Sequence, residues 1–453
     1  MRSGELETMV GSRTGEYLWP GDDSYEQARR VHNGLIDKRP ALIAPCRNTS
    51  DVVDALELAS RSGLEVSVKG GGHSIAGRSV VEAGLMIDLS PMTEVTVDSA
   101  DRTVRVGGGA TWGKVNEATA AHGLATTGGV ISTTGVGGLT LGGGLGWLMT
   151  TRGLAVDNLL SVEMVLADGR VVTADEGSHP DLFWAVRGGG GNFGVATSFV
   201  FRLHPVAEIW GGLIAYPFDA APDFLRFLAE FSRAAPDELA LMPLLVHSPD
   251  GSGTRLAATA VAHFGTPEMA VADLQPLVEF GSPILSQLGP IAYPALNSML
   301  DGGFPPGAMY YWKSNFIPDL TDEVIDVMID QFVSSPSTMS GIAVEHLHGA
   351  VTRVPVTATA FPHRRQGYNI LLAGVWSDPQ LNEETIAWTK ETYRALRPLL
   401  GSGRYVNYLS DDDLAAIPDA YGPNLQRLTV IKGQYDPDNR FHLNHNIKPA
   451  PRS

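Results

Sequence analysis

Apolar residues recur at helical spacing through residues 48–63, NTSDVVDALELASRSG. Asn48, Thr49 and Ser50 offer N-terminal caps and Gly63 a stop, so this stretch predicts a helix. A short strand, Val66 to Lys69, follows and runs directly into glycines. Strand-like patterning returns in GLMIDLS, TEVTVDSADRTVRVGG and LLSVEMVLADGRVVTA; the last two predict hairpins turning at Ala100-Asp101 and Asp168-Gly169. WGKVNEATAAHG reads as a helix closed by Gly123. Beyond His204-Pro205 the rhythm changes. Longer helices (PDFLRFLAEFSRAA, LTDEVIDVMIDQFVSS, LNEETIAWTKETYRALRPLL) alternate with strands (LALMPLLVHS, TRLAATAVAHFG, YNILLAGVW), which predicts an antiparallel sheet backed by helices. The last fifty residues are loop-rich and are expected to return to the first part. The predicted division is 1–205, 206–400 and 401–453.

Composition narrows the class. A chain of 453 residues has room for two or three domains and a substantial core. With 43% apolar and 18% charged residues, disorder is excluded as the main state. The net charge of −17 disfavours a nucleic-acid binder or a basic membrane-surface protein. Cys46 stands alone, which excludes an intramolecular disulfide and any multi-cysteine metal site. The opening MRSGELETMV shows no targeting pattern, and no stretch approaches the ~18 apolar residues of a membrane span. The expectation is a soluble, cytoplasmic protein.

The glycines are clustered, and the clusters carry the chemistry. The first is Lys69-Gly70-Gly71-Gly72-His73-Ser74-Ile75-Ala76-Gly77. The second spans Gly128-Gly129 and then Gly135 to Gly146. The third is Arg187 through Gly190 and Gly191 to Asn192-Phe193-Gly194-Val195. Glycine costs roughly 0.5–1 kcal/mol of chain entropy against alanine in regular structure. Repeated clusters therefore mark places where main chain must approach something closely, and successive free N–H groups suit a pyrophosphate. Two familiar motifs fail. Gly108 to Val115 spells a P-loop until Val115, where a hydroxyl is required. Gly189 to Gly194 spells G-x-G-x-x-G but follows a helical stretch, PDLFWAVR, where a dinucleotide fold needs a strand.

Taken together, Lys69-Gly-Gly-Gly-His73-Ser74, Thr134-Gly-Val-Gly-Gly138 with Gly142 to Gly146, Pro180 to Gly194, and the tail Tyr435 to Pro449 strongly resemble the berberine bridge enzyme-like flavin oxidases of the vanillyl-alcohol oxidase/PCMH superfamily. The 6-hydroxy-D-nicotine oxidases and sugar oxidases are nearest in style. The resemblance implies an α+β fold: a two-part PCMH-type FAD-binding domain (1–205, completed by 401–453) plus a substrate domain (206–400). It implies FAD attached covalently through His73, with Lys69, Gly70, Gly71, Gly72, Ser74 and Gly77 around it. Further cofactor contacts are implied at Gly129, Thr133, Thr134, Gly135, Gly137, Gly138, Gly142, Gly143 and Gly146, at Asn192, Gly194 and Val195, and at Asn407, Asn444 and Asn446. Some relatives add a cysteinyl link. Ile131 occupies that position and Cys46 lies far upstream, so a single link through histidine is expected. By the resemblance, Thr134 falls where relatives place a residue that gates oxygen, and in them a narrow side chain there goes with oxidase activity.

FAD takes hydride at N5, so the protein must orient the substrate and take its proton. In Val344-Glu345-His346-Leu347-His348, strand alternation places His346 and His348 on one face and Glu345 on the other. The two histidines read as substrate contacts, structural groups or a metal pair, for which no third ligand is evident. Tyr405 and Asn407 share one face of a predicted short strand, Val406 and Tyr408 the other; Tyr408 is the favoured base and Tyr405 the second. Tyr310, Tyr311 and Lys313 are candidate pocket residues. The glutamate base of some relatives has no obvious counterpart, since Leu371 stands near its place. The expected activity is an oxidase that removes hydride from an alcohol or amine carbon of a small molecule and reduces O2 to hydrogen peroxide. A dehydrogenase with another acceptor and a non-catalytic flavin-binding protein are the alternatives.

Overall fold

In the computed structural model, residues 16–206 and 208–451 are described. The first helix forms as patterned, over Thr49–Ser62. Asn48 accepts the Asp51 N–H at its start, and Gly63 ends it in the left-handed conformation at φ 66°. It packs on a three-stranded parallel sheet ordered Leu42–Pro45, Leu85–Asp88, Val66–Lys69. The two predicted hairpins build most of a second, five-stranded antiparallel sheet. Its order is Val95–Asp98, Thr103–Gly107, Val195–Arg202, Leu159–Val165, Val171–Ala174.

The third sheet has eight antiparallel strands. Its spine runs Ile209–Pro217, Arg255–His263, Leu239–His247, Gly341–Leu347, Gly367–Trp376, Met309–Ile317. Helices Ala221–Arg233, Asp322–Val333 and Asn382–Leu396 cover one face. There Leu228, Met328 and Trp388 pack on Leu241, Ile342 and Ile370. The alternate residues Met242, Leu244, Leu371 and Ala373 look the other way, toward the glycine clusters.

The carboxyl-terminal segment closes over the first part. In helix Leu425–Tyr435, the buried Lys432 ammonium donates to the Asn192 and Phe441 carbonyls at 2.7 and 2.9 Å and pairs with Asp436 at 2.6 Å. Asn192 Oδ1 in turn accepts the Ile447 N–H. Among the described residues no helix is long and apolar enough to cross a membrane.

Two expectations are corrected. Residues 405–408 are not a strand: Val406–Tyr408 form a single 3-10 turn. A turn gathers consecutive side chains, so Tyr405, Asn407 and Tyr408 meet on one side. The face expected of His346 and His348 is also reversed. Strand alternation holds, but His346 lies opposite Tyr368, whose hydroxyl bonds Ser232 of a covering helix at 2.6 Å. The histidines therefore sit under the helices, and Glu345 looks into a cavity that the glycine clusters also line.

Candidate active site

A cavity of about 790 Å³ lies between the glycine clusters and the open face of the eight-stranded sheet. All three clusters reach it: Gly70 to Ser74; Gly129 with Thr134, Gly135, Gly137 and Gly138; and Asn192, Gly194 and Val195. Gly71 and Gly135 explain why glycine is required. The two loops press main chain against main chain, and a Cβ on either residue would collide with the backbone nitrogen of the other. At Gly138 and Gly191 the reason is different. Both line the cavity, and a Cβ there would meet no protein atom within 4 Å. The N–H groups of Gly71, Gly72 and His73 donate to no described residue, so this loop is a concave array of free donors suited to an anion.

His73 lines this wall. Its Nε2 is 2.8 Å from the Thr133 hydroxyl, and its ring stacks on His32 at 3.8 Å between centroids. His32 stacks in turn on Tyr310 at 4.9 Å. Burial, with His32 alongside, holds the His73 imidazole down to about 3, so it stays neutral at ordinary pH.

The opposite wall carries one acidic group. Glu345 is buried, and its two oxygens are both engaged: Oε1 accepts the Tyr408 hydroxyl at 3.0 Å, and Oε2 accepts Asn369 Nδ2 at 2.6 Å. Burial pushes its carboxyl up to about 7, while these two hydrogen bonds pull the other way. Burial and the Glu345 charge push the Tyr408 phenol well above its usual value. The Tyr405 hydroxyl receives N–H groups from Gly144, Leu145 and Asn407 at 3.1, 3.3 and 2.9 Å, and burial raises it to about 12. Three donors hold Tyr405 in place, while the Tyr408 proton has an acceptor in Glu345. A carboxyl that titrates near neutrality beside a hydroxyl is a ready proton acceptor.

Residues 40–175 match the FAD binding domain family model, and residues 404–448 match the berberine and berberine-like model. An FAD-linked oxidoreductase of Dictyostelium discoideum is 33% identical over 435 residues, 95% of this chain and 93% of that protein. The chain belongs to the berberine bridge enzyme-like family of FAD-linked oxidoreductases. The 6-hydroxy-D-nicotine oxidase structure from Arthrobacter nicotinovorans superposes with a TM-score of 0.89 at 27% identity, covering 96% of this chain and 98% of that one. A glucooligosaccharide oxidase from Acremonium strictum, described with a 6-S-cysteinyl, 8α-N1-histidyl FAD, gives 0.87 at 25% identity over 99% and 100% of the chains. The fold expected from the resemblance is thereby confirmed, and so are FAD binding and enzymatic function. The free N–H groups at 71–73 and the open space over Gly138 and Gly191 fit the phosphates and body of such a dinucleotide.

Several expected flavin contacts lie elsewhere. Lys69 turns away from the cavity to the Ala28 carbonyl at 2.7 Å. Gly77 makes room for Ile36, Gly142 for Asn407, Gly143 for Phe361 and Gly146 for the Gly128 carbonyl. These glycines serve protein packing. Thr133 stands behind His73, and Asn446 is not in the cavity wall, whereas Asn407 and Asn444 are. On the sheet side, Tyr311 and Lys313 point the wrong way, to Asp412 at 2.7 and 2.8 Å; their neighbour Trp312 lines the cavity instead. His346 and His348 stack on each other at 4.1 Å, outside the site. Among the described residues no group of acidic, histidine or cysteine side chains could hold a metal.

The residues that sequence reading missed are Glu345, Asn369, His32 and Trp312. A signal existed for Glu345: on a strand whose alternate residues Ile342 and Val344 are bulky and apolar, the glutamate shares its face with Gly341 and Ala343, the face with room. His32 carried no pattern at all.

Proposed function

We propose that the chain is an FAD-dependent oxidase of a small-molecule alcohol or amine, with Glu345 as proton acceptor and Tyr408 as the group that touches the substrate. The observation that carries this reading is the Tyr408–Glu345 hydrogen bond at the cavity wall, with the carboxyl near neutrality. When bound, FAD would accept the hydride from the substrate carbon. The protein then needs to remove one proton from the neighbouring hydroxyl or amine. Tyr408 is a poor base by itself, because burial raises it. It can receive the substrate proton while passing its own to the Glu345 carboxylate. Asn369 steadies the far carboxylate oxygen, and Tyr405 with Asn407 fixes the turn that presents Tyr408. With O2 as acceptor, alcohol and dioxygen yield ketone or aldehyde and hydrogen peroxide, which balances two electrons and two protons. Thr134, narrow and in the cavity wall, supports access by oxygen.

His73 is the proposed single covalent tether. With its Nε2–H donating to Thr133, the Nδ1 lone pair is left for the cofactor's edge. A second, thiol link lacks a candidate: Ile131 lines the cavity, and the Cys46 thiol is buried against the Ala44 carbonyl. The proposed division of labour follows residues 1–205 with 401–453 for FAD and 206–400 for substrate.

The test is an anaerobic substrate panel watched by flavin absorbance, followed by readmission of air. Bleaching and rapid recovery with peroxide are expected. Slow recovery in air would indicate a dehydrogenase, and absence of bleaching by any alcohol or amine would indicate a binding protein. Colour that stays with acid-precipitated protein supports the tether; colour released to the supernatant refutes it.

A further inference from the structure

The sheet wall of the cavity has a distinctive surface. In one row across the strands, Leu244 faces Ala343 and Ala343 faces Leu371. In the next row Gly341 faces Ala373, and Ala373 faces Trp312. All of these line the cavity. Gly341, Ala343 and Ala373 make a shallow floor of small residues, and Leu244, Leu371 and Trp312 stand around it. Beyond the strands, Met299, Leu300, Phe304 and Met339 add apolar surface.

Trp312 is fixed as a wall by edge-to-face contacts with Tyr408 at 5.4 Å and 89° and with Phe304 at 5.7 Å and 83°. Its indole Nε1 is buried and has no described acceptor. The loop with Leu300 is anchored across the cavity by Asp301, which accepts the Ser132 N–H at 2.8 Å and its hydroxyl at 2.5 Å. The Leu300 loop is thus tied to the glycine-rich side.

We infer that the substrate is a flat, largely apolar molecule of one or two fused aromatic rings, bearing the oxidised alcohol carbon at one edge, and that this site is not built for a sugar. The inference rests on the proposed role of Tyr408 and Glu345, which marks the reacting end. A ring laid on the Gly341–Ala343–Ala373 floor is bounded by Leu244, Leu371 and Trp312. Its carbinol hydroxyl reaches Tyr408, and an oxygen elsewhere on the ring can accept the Trp312 N–H. A sugar places a hydroxyl on nearly every carbon. Each one left unpaired on this floor loses its hydrogen bond to water without a replacement, whereas apolar ring surface gains by leaving water. Ser248, Thr338 and Ser340 are the hydroxyl side chains beside the floor strands that also line the cavity, and the Ser340 hydroxyl is already engaged by the Val375 carbonyl and N–H. They are too few to dress a disaccharide.

The test uses the FAD-loaded enzyme under anaerobic conditions with two probes, 1-(2-naphthyl)ethanol and cellobiose. Binding is read from the perturbation of flavin absorbance and from Trp fluorescence, and oxidation separately from bleaching. The naphthyl alcohol is expected to bind about 100-fold more tightly than cellobiose, as burial of apolar area against unpaired hydroxyls requires. Ala373→Leu, which raises the floor, is expected to weaken the naphthyl probe about tenfold with flavin content unchanged. Tighter binding of cellobiose overturns the inference, and so does the absence of naphthyl binding at millimolar concentration. Unchanged naphthyl affinity in a correctly loaded Ala373→Leu enzyme overturns the assignment of the floor. If the naphthyl alcohol binds as expected without bleaching, the substrate class stands and the oxidation reading fails.

Discussion

The strand Gly341–Leu347 buries ionisable groups on both faces, and the two faces behave differently. Toward the cavity, Glu345 meets a hydroxyl donor and an amide, and its carboxyl titrates near 7. Toward the helices, His346 and His348 stack on each other beside Tyr368, and burial holds His346 down to about 3. Burial alone therefore does not mark a reactive group. What sets Glu345 apart is that its partner Tyr408 belongs to the cavity wall, whereas the partners of the histidines belong to the core.

The comparison also has opposite signs in pH. An unfolded chain protonates His346 below about 6.5 while the folded one resists to about 3, so the histidine face loses stability as pH falls through that window. The folded carboxyl of Glu345 keeps its proton to about 7 while the unfolded one loses it near 4.5, so the glutamate face loses stability as pH rises between those values.

The largest expected effect is that of Glu345→Gln. The rate of flavin reduction should fall by about 10²–10⁴-fold, with FAD content intact. Melting at pH 8 should be unchanged or higher by a few degrees, because the buried charge is gone. A full-rate variant would remove Glu345 from the chemistry. In the wild type, kcat/KM should fall about tenfold per pH unit below about 7, and a flat profile from pH 5 to 8 would contradict a carboxylate acceptor. His346→Leu sharpens the contrast from the other face. Turnover should stay within about twofold, while the acid midpoint of unfolding moves to lower pH; the stability change at neutrality should be about 1 kcal/mol. A large loss of turnover would reopen the histidine face as part of the site. His73→Ala should abolish acid-stable flavin attachment and leave the fold. The smallest effect is expected for Thr133→Val, which should slow attachment, followed as acid-stable absorbance during FAD reconstitution, without preventing it.

The sequence read alone went far on the glycine-cluster side of the cavity and less far on the eight-stranded sheet. Glycines at 70–72, 135–138 and 190–194 are conspicuous because main chain does the work there, and a residue without a side chain can be recognised as such. Their individual roles were harder to read. Gly142, Gly143 and Gly146 look the same in sequence as Gly138, yet their missing Cβ makes room for Asn407, Phe361 and the Gly128 carbonyl. At 405–408, Tyr-Val-Asn-Tyr fits a strand by composition, and a 3-10 turn gathers the side chains that a strand would have divided.

Periodicity, capping residues and glycine clustering, all short-range properties, determined the helices, the hairpins, the strands of the antiparallel sheet and the His73 loop. Local sequence also fixed that Glu345 and His346 must point in opposite directions. Which of the two faces the cavity was decided by where three helices, distant in the chain, bury their apolar sides. Alternation along a strand has a period but no sign, and only packing across the sheet supplies one.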